Sequence, residues 1–201
     1  PAGLKFYIDG ELVAESWDPN DIKSPNHAMV MFFGAYGYDG MASIEVDYAR
    51  HYQWILDPNS ELPNGNFEYE GALFPWEGAG KIDKEAKRTG EYGLMLEPGK
   101  SIQQYVYLDP EQTYEMSFYN KGESTLLYAE AANIRPVSGE ALLTGTGYKE
   151  FKTNKKFTQN KIYVTTPADY PGHKSTVKIT FTNKGNKPVA IDDIVISKTT
   201  L

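Results

Sequence analysis

Cysteine is absent from the 201 residues. Its absence excludes disulfides, thiol catalysis and thiolate metal centres together. Arginine is scarce, limited to Arg50, Arg88 and Arg135, and the net charge is −7. So acidic a chain, with so few arginines, lacks the phosphate contacts of a nucleic-acid or anionic-membrane binder. No apolar run approaches the ~20 residues of a membrane-spanning helix. The three histidines, His27, His51 and His173, share no metal-ligand spacing. Gly145-Thr146-Gly147 lacks the Lys-Ser/Thr of a phosphate loop, and no G-x-S-x-G elbow occurs. Helical periodicity is missing too: Asp83 to Arg88 is the one helical-looking stretch, short and charged.

Aromatic residues are plentiful. Fifteen Tyr, nine Phe and three Trp make 13% of the chain. The hydrophobic period is two almost throughout, and turn signals recur at regular spacing, so the chain reads as all-β. Strands are expected at Leu4–Ile8, Glu11–Ser16, Ala28–Ala35, Ala42–Tyr52, Tyr92–Leu96, Ser101–Leu108 and Thr113–Asn120. Five more are expected at Leu126–Ala131, Tyr148–Thr153, Lys161–Thr165, Thr176–Thr182 and Val189–Ser197. Asp9-Gly10 suits a tight hairpin turn.

Two prolines and no apolar period mark 57–63 as a linker. It divides an incomplete sandwich at 1–56 from a β-sandwich (jelly roll) at 64–201. The four strands of the first part leave an apolar face, with Met29, Met31, Phe32 and Phe33, that needs cover. We expect upstream sequence or a companion chain to supply it, and the start at Pro1 to lie inside a domain.

In the second part, Ser101–Leu108 alternates Ile102, Gln104, Val106 and Leu108 against Gln103, Tyr105 and Tyr107. The next strand sets Tyr114, Met116 and Phe118 against Glu115, Ser117 and Tyr119. If the aliphatic set faces inward, Tyr105, Tyr107 and Tyr119 face outward, and Tyr128 on the following strand joins them. Outward tyrosines suit sugars, whose C–H faces stack on rings while hydroxyls meet planar polar groups such as Gln103 or Asn120. Half-buried Tyr is also an ordinary strand residue. Trp76, between Pro75 and Glu77, is either a loop platform of the same kind or a core plug. Tyr148 and Tyr170 are further loop aromatics. The lysines of 149–161 read as a solvated loop, with contact to an anionic sugar as the alternative.

Two resemblances follow from quoted segments. FYIDG at 6–10 and IEVDYARHYQ at 44–53 resemble the closing strands of a concanavalin-like domain of the glycoside hydrolase family 16 kind. That family's Glu-x-Asp-x-x-Glu places two carboxylates on one sugar. Glu45-Val46-Asp47 imitates half of it, and Arg50 stands where the second Glu would be. The catalytic strand is therefore expected upstream. NGNFE at 64–68, TGEYGLML at 89–96, IQQYVYLDPEQTYEMSF at 102–118 and VAIDDIVIS at 189–197 together resemble carbohydrate-binding modules of the family 4, 16 and 22 type. That resemblance implies a structural Ca²⁺ held by Glu68 and Asp192, with Asp193 as an alternative and backbone carbonyls near Asn66 and Lys87 to Gly90. Hard oxygen donors suit such an ion.

The expected function is non-catalytic binding of a polysaccharide, β-glucan or xylan-like. Trp76, Gln103, Tyr105, Tyr107, Tyr119 and Tyr128 are the ligand contacts. The module would be attached to a glycoside hydrolase-like domain in a secreted, periplasmic or cell-surface protein. The alternatives are one segment of an active hydrolase, or a structural or adhesion sandwich.

Overall fold

A computed structural model describes residues 4–8, 11–16, 59–69, 71–134, 141–168 and 174–199. The expected strands Ala28–Ala35 and Ala42–Tyr52, the Glu45 segment, the Asp9-Gly10 turn, Tyr170 and all three histidines lie outside the described residues. Strands β1 (Leu4–Ile8) and β2 (Glu11–Ser16) pair antiparallel as a two-stranded sheet, Ile8 opposite Glu11.

The remaining strands are β3 (Glu77–Gly78), β4 (Lys81–Asp83), β5 (Gly93–Leu96), β6 (Ser101–Leu108) and β7 (Thr113–Gly122). They continue with β8 (Leu126–Ile134), β9 (Ala141–Lys152), β10 (Thr158–Thr165), β11 (Ser175–Asn183) and β12 (Val189–Lys198). They form two antiparallel five-stranded sheets, ordered β10-β7-β12-β5-β4 and β3-β6-β11-β8-β9. The chain is an all-β jelly-roll sandwich. Asp83 caps a single 3-10 turn at Lys84–Ala86, accepting from the Glu85 amide at 2.9 Å.

The core lies between the sheets. Met116 and Phe118 of β7 face Ile102, Val106, Ile179 and Phe181 of β6 and β11. Phe118 meets Phe181 edge-on across the gap, centroids 4.9 Å apart, and Phe151 at 5.3 Å. Such ring pairs add about 0.5–1.5 kcal/mol beyond their buried area.

The turn Asp109 to Gln112 does not close a hairpin. It carries the chain from one sheet to the other, so β6 and β7 lie in different layers. Tyr114 turns inward and its hydroxyl accepts from the Asp109 amide at 3.0 Å, bracing this crossing. Alternation gives the inward faces of β6 and β7 but says nothing about which sheet a strand joins.

The expected linker belongs to the sandwich from Ser60 onward. The Ser60 hydroxyl accepts from the amides of Leu62 and Ile196, the Glu61 amide donates to the Ile196 carbonyl, and Leu62 is buried. At the opposite edge β9 begins seven residues before the expected strand. Its Gly145 and Gly147 are pressed against β10: a Cβ would stand 2.0 Å from the Thr165 carbonyl oxygen and 1.8 Å from that of Tyr163. Glycine lets the two backbones meet there, and its weak strand preference hides the strand in the sequence.

Candidate functional site

The outward face of the β3-β6-β11-β8-β9 sheet can be read row by row from its register. One row runs Ser101, Thr182, Tyr128, Glu150. The next runs Glu77, Gln103, Thr180, Glu130, Tyr148. The third runs Tyr105, Lys178, Ala132, and Tyr107 opposes Thr176 beyond it. Gln103, Tyr105, Tyr107 and Tyr128 thus share a face. Tyr119, on β7, lies on the opposite side of the sandwich, and the expectation that it joins them is corrected. Asn120 faces the core and is buried. The physical reason is the sheet crossing between β6 and β7.

The two ends of this face differ. At the Tyr107 end, Ala132 and Thr176 are buried despite their outward register, and burial pushes the Tyr107 phenol above its ordinary value. At the other end Tyr148 is 67% exposed and pairs with Tyr128, ring centroids 6.5 Å apart. The Tyr128 hydroxyl donates to Glu130 Oε1 at 2.9 Å. Burial and that carboxylate push its pKa up to about 12, so it remains a hydroxyl at any physiological pH. Lys184 Nζ sits 4.3 Å from the Tyr128 centroid and 2.9 Å from Glu150 Oε1. Gln103 Nε2 donates to Glu77 Oε2 at 3.3 Å. The open end therefore offers a tyrosine pair flanked by the Glu130 and Glu150 carboxylates and the Lys184 ammonium, with the Gln103 amide two strands away on the same face. Sequence reasoning set Tyr148 at the start of an expected strand and counted it among the loop aromatics, and it missed Glu77, Glu130, Glu150 and Lys184. The glycines before Tyr148 hide the first half of β9 and so the ring's place within a sheet, and the acidic and basic groups come from segments whose neighbours the sequence pattern does not reveal.

Trp76 is not part of any platform. It is 3% exposed, packs on Phe67 and Phe181 with centroids 6.0 Å away, and donates from Nε1 to the Asn64 carbonyl at 3.0 Å. Asn64 organises the loop around it: its Nδ2 donates to the Ala72 and Phe74 carbonyls and its Oδ1 accepts from the Tyr69 amide. Trp76 is the core plug, and its place among the ligand contacts is corrected.

On the far side, Glu68 and Asp192 reach the same loop. Glu68 Oε1 accepts from the amides of Glu91 and Tyr92, both at 2.8 Å. Gly90, at φ +61°, makes room, since a Cβ would lie 2.2 Å from Glu68 Oε1. Asp192 Oδ2 accepts from the amides of Arg88 and Thr89 at 2.6 and 3.1 Å, and its Oδ1 from the Asp193 amide at 2.8 Å. Burial pushes the Asp192 carboxyl up to about 6, against the pull of the Arg88 and Thr89 amides. A bulge between Asp192 and Val195, with Asp193 at φ +50°, turns Asp193 to the same loop. Asp193 pairs with the Arg88 guanidinium at 2.6 Å and accepts from the Thr89 hydroxyl at 2.6 Å. The guanidinium also lies 3.6 Å over the Tyr119 ring. That contact gives Tyr119 a structural occupation.

Glu68 and Asp192 thus bring two carboxylates from distant segments to one loop, hard oxygen donors of the kind Ca²⁺ takes. Three of their four oxygens face amide N–H groups, which an ion would have to displace. The peptide planes that aim the Arg88, Thr89 and Glu91 amides at these carboxylates turn the carbonyls of Lys87, Arg88 and Gly90 away from them. Among the described residues no cluster of three or more His, Cys, Asp or Glu could hold a metal.

No protein-family model and no curated protein matches the sequence. Solved structures do match. A family 16 carbohydrate-binding module is 19% identical with a TM-score of 0.52, covering 68% of this chain and 98% of its own. TmCBM61, solved with β-1,4-galactotriose, is 20% identical with a TM-score of 0.50, covering 70% and 99%. The CBM22-2 xylan-binding domain of Paenibacillus barcinonensis Xyn10C is 12% identical with a TM-score of 0.51, covering 67% and 98%. At these identities the likeness establishes the fold, and that fold is the jelly roll of carbohydrate-binding modules.

Proposed function

We propose that the chain binds a neutral polysaccharide, without turnover, on the open end of the β3-β6-β11-β8-β9 sheet. The observation that carries this reading is the exposed Tyr148 ring beside Tyr128, with Glu130 and Glu150 next to them and Gln103 two strands further along the same face. A pyranose C–H face stacks on such rings, and its hydroxyls donate to the carboxylates and exchange hydrogen bonds with the amide. A strand platform holds these groups at fixed spacing, so little freedom is lost on binding. The fold likeness to modules whose names refer to galactotriose and xylan supports this reading of ligand class.

Affinity electrophoresis against xylan, mixed-linkage β-glucan and β-1,4-galactan tests it. Retardation in at least one gel is expected, with Tyr148→Ala weakening apparent affinity about ten-fold or more, as loss of a central aromatic does. Absence of retardation in every gel, or a Tyr148→Ala variant that behaves as the parent, removes the reading. Release of reducing sugar by the pure chain would instead make it an enzyme. Attachment to a glycoside hydrolase-like domain, completion of 1–56 by upstream sequence or a companion chain, and an extracellular location rest on the resemblance of residues 1–56.

Calcium at Glu68 and Asp192 is proposed on the resemblance and on their meeting at one loop. Its expected signature is a rise in Tm of several degrees with millimolar Ca²⁺ over EDTA, by mass action on the folded state, absent in Glu68→Gln. Equal Tm values would leave the loop held by amides alone.

A further inference from the structure

A groove of about 570 Å³ lies on the outward face of the other sheet. Its size falls within the ~300–1,000 Å³ common for small-ligand sites. Its cause is a side-chain row across three strands: Lys121 of β7, Ala190 of β12 and Met95 of β5 stand side by side in register. Ala190 is short, so it forms the floor between two long neighbours. Pro188 and Lys187, from the turn before β12, close one end, and Lys155, from the loop after β9, stands at the side. Three lysines and one carboxylate, Glu123, thus line a trough with an apolar floor, in a chain whose net charge is −7.

Such a concentration of one sign runs against the protein's overall charge. Lys121 is held in place, with Nζ 4.9 Å from the Phe157 centroid and donating to the Glu85 carbonyl at 3.3 Å. Lys155 and Lys187 are exposed, and neither makes an ion pair among the described residues. Low-dielectric walls focus the field of charges gathered in a trough. Met95, Ala190 and Pro188 provide an apolar strip for C–H groups, and Glu123 an acceptor for hydroxyls. A flat cationic face without such a strip would suit any polyanion. A strip between lysines suits a ring that is apolar on one side and charged at its edge.

We propose that this groove is a second glycan site, which takes an acidic saccharide and pairs Lys155 and Lys187 with its carboxylate or sulfate groups. It stands independently of the tyrosine platform, from which it is separated by the thickness of the sandwich.

The test is affinity electrophoresis of the full chain in gels of polygalacturonate, dextran sulfate or dextran. Retardation is expected in polygalacturonate and not in dextran, weakening as NaCl rises and screens the lysines. Lys155→Gln with Lys187→Gln is expected to weaken apparent affinity about ten-fold. Lys100→Gln with Lys198→Gln, at exposed positions outside the groove lining, changes net charge equally and is expected to leave affinity intact. Retardation in dextran sulfate alone, lost in the groove variant only, keeps the site and assigns it to sulfate esters. Equal loss in both double variants, no loss in the groove variant, or no retardation in either anionic gel overturns the proposal. Tyr148→Ala is expected to bind polygalacturonate as the parent does, so failure of the platform and failure of the groove give different gels.

Discussion

Trp76→Ala is expected to reduce folding stability by about 3–5 kcal/mol, the range for an indole or phenyl removed from a packed core. The indole fills the end of the sandwich between Phe67 and Phe181, and its N–H ties the core to the Asn64 loop. Truncation opens a cavity and leaves the Asn64 carbonyl with the Phe67 amide, at 3.4 Å, as its donor. Trp76→Phe should recover part of the loss, because it restores volume but not the donor. Urea unfolding at constant m-value measures both. Folded Trp76→Ala protein should retain the parent's glycan retardation. A variant of near-parental stability that has lost retardation would return Trp76 to the binding surface.

Asp192→Ala is expected to cost about 3 kcal/mol or more. It removes the buried carboxylate that accepts from the amides of Arg88, Thr89 and Asp193, and a hydrogen bond to a charged group contributes about 1.5–3 kcal/mol. Asp193→Ala, one residue away, removes a half-exposed pair with Arg88 and should cost no more than about 1 kcal/mol. The contrast between adjacent aspartates separates amide clamping from ion pairing. Equal losses in urea unfolding would show that the clamp acts through charge alone.

The strands were legible because burial on one side imposes a period of two. Ser101–Leu108 and Glu11–Ser16 agree at both ends with the expected strands. Layer membership was not legible. Ile102 and Phe118 face the same core from opposite sheets, and the turn between them reads like any hairpin turn. Trp76 was undecidable because a loop position by sequence is also an end-of-core position in a sandwich. Tyr128 was found by alternation, whereas its partner Tyr148 stood at the edge of an expected strand, and the glycines before it hid that the strand continues. Glu68 and Asp192 were located by resemblance; their amide partners follow from backbone placement, which side-chain patterns do not encode.

The bulge at Asp192 and Asp193 has a consequence for length rather than for chemistry. Val189 and Ile191 point inward, then Ile194 and Ile196 do, so one extra residue has been counted between the two apolar pairs. Deleting that residue would restore plain alternation and leave Ile194 and Ile196 facing the core, but it would remove the bulge that swings Asp193 to Arg88. Most surface positions tolerate the gain or loss of one residue. Here the gain of one residue is absorbed as a bulge, and a natural or engineered relative that shortens β12 by that residue is expected to keep its core and lose the Asp193–Arg88 contact.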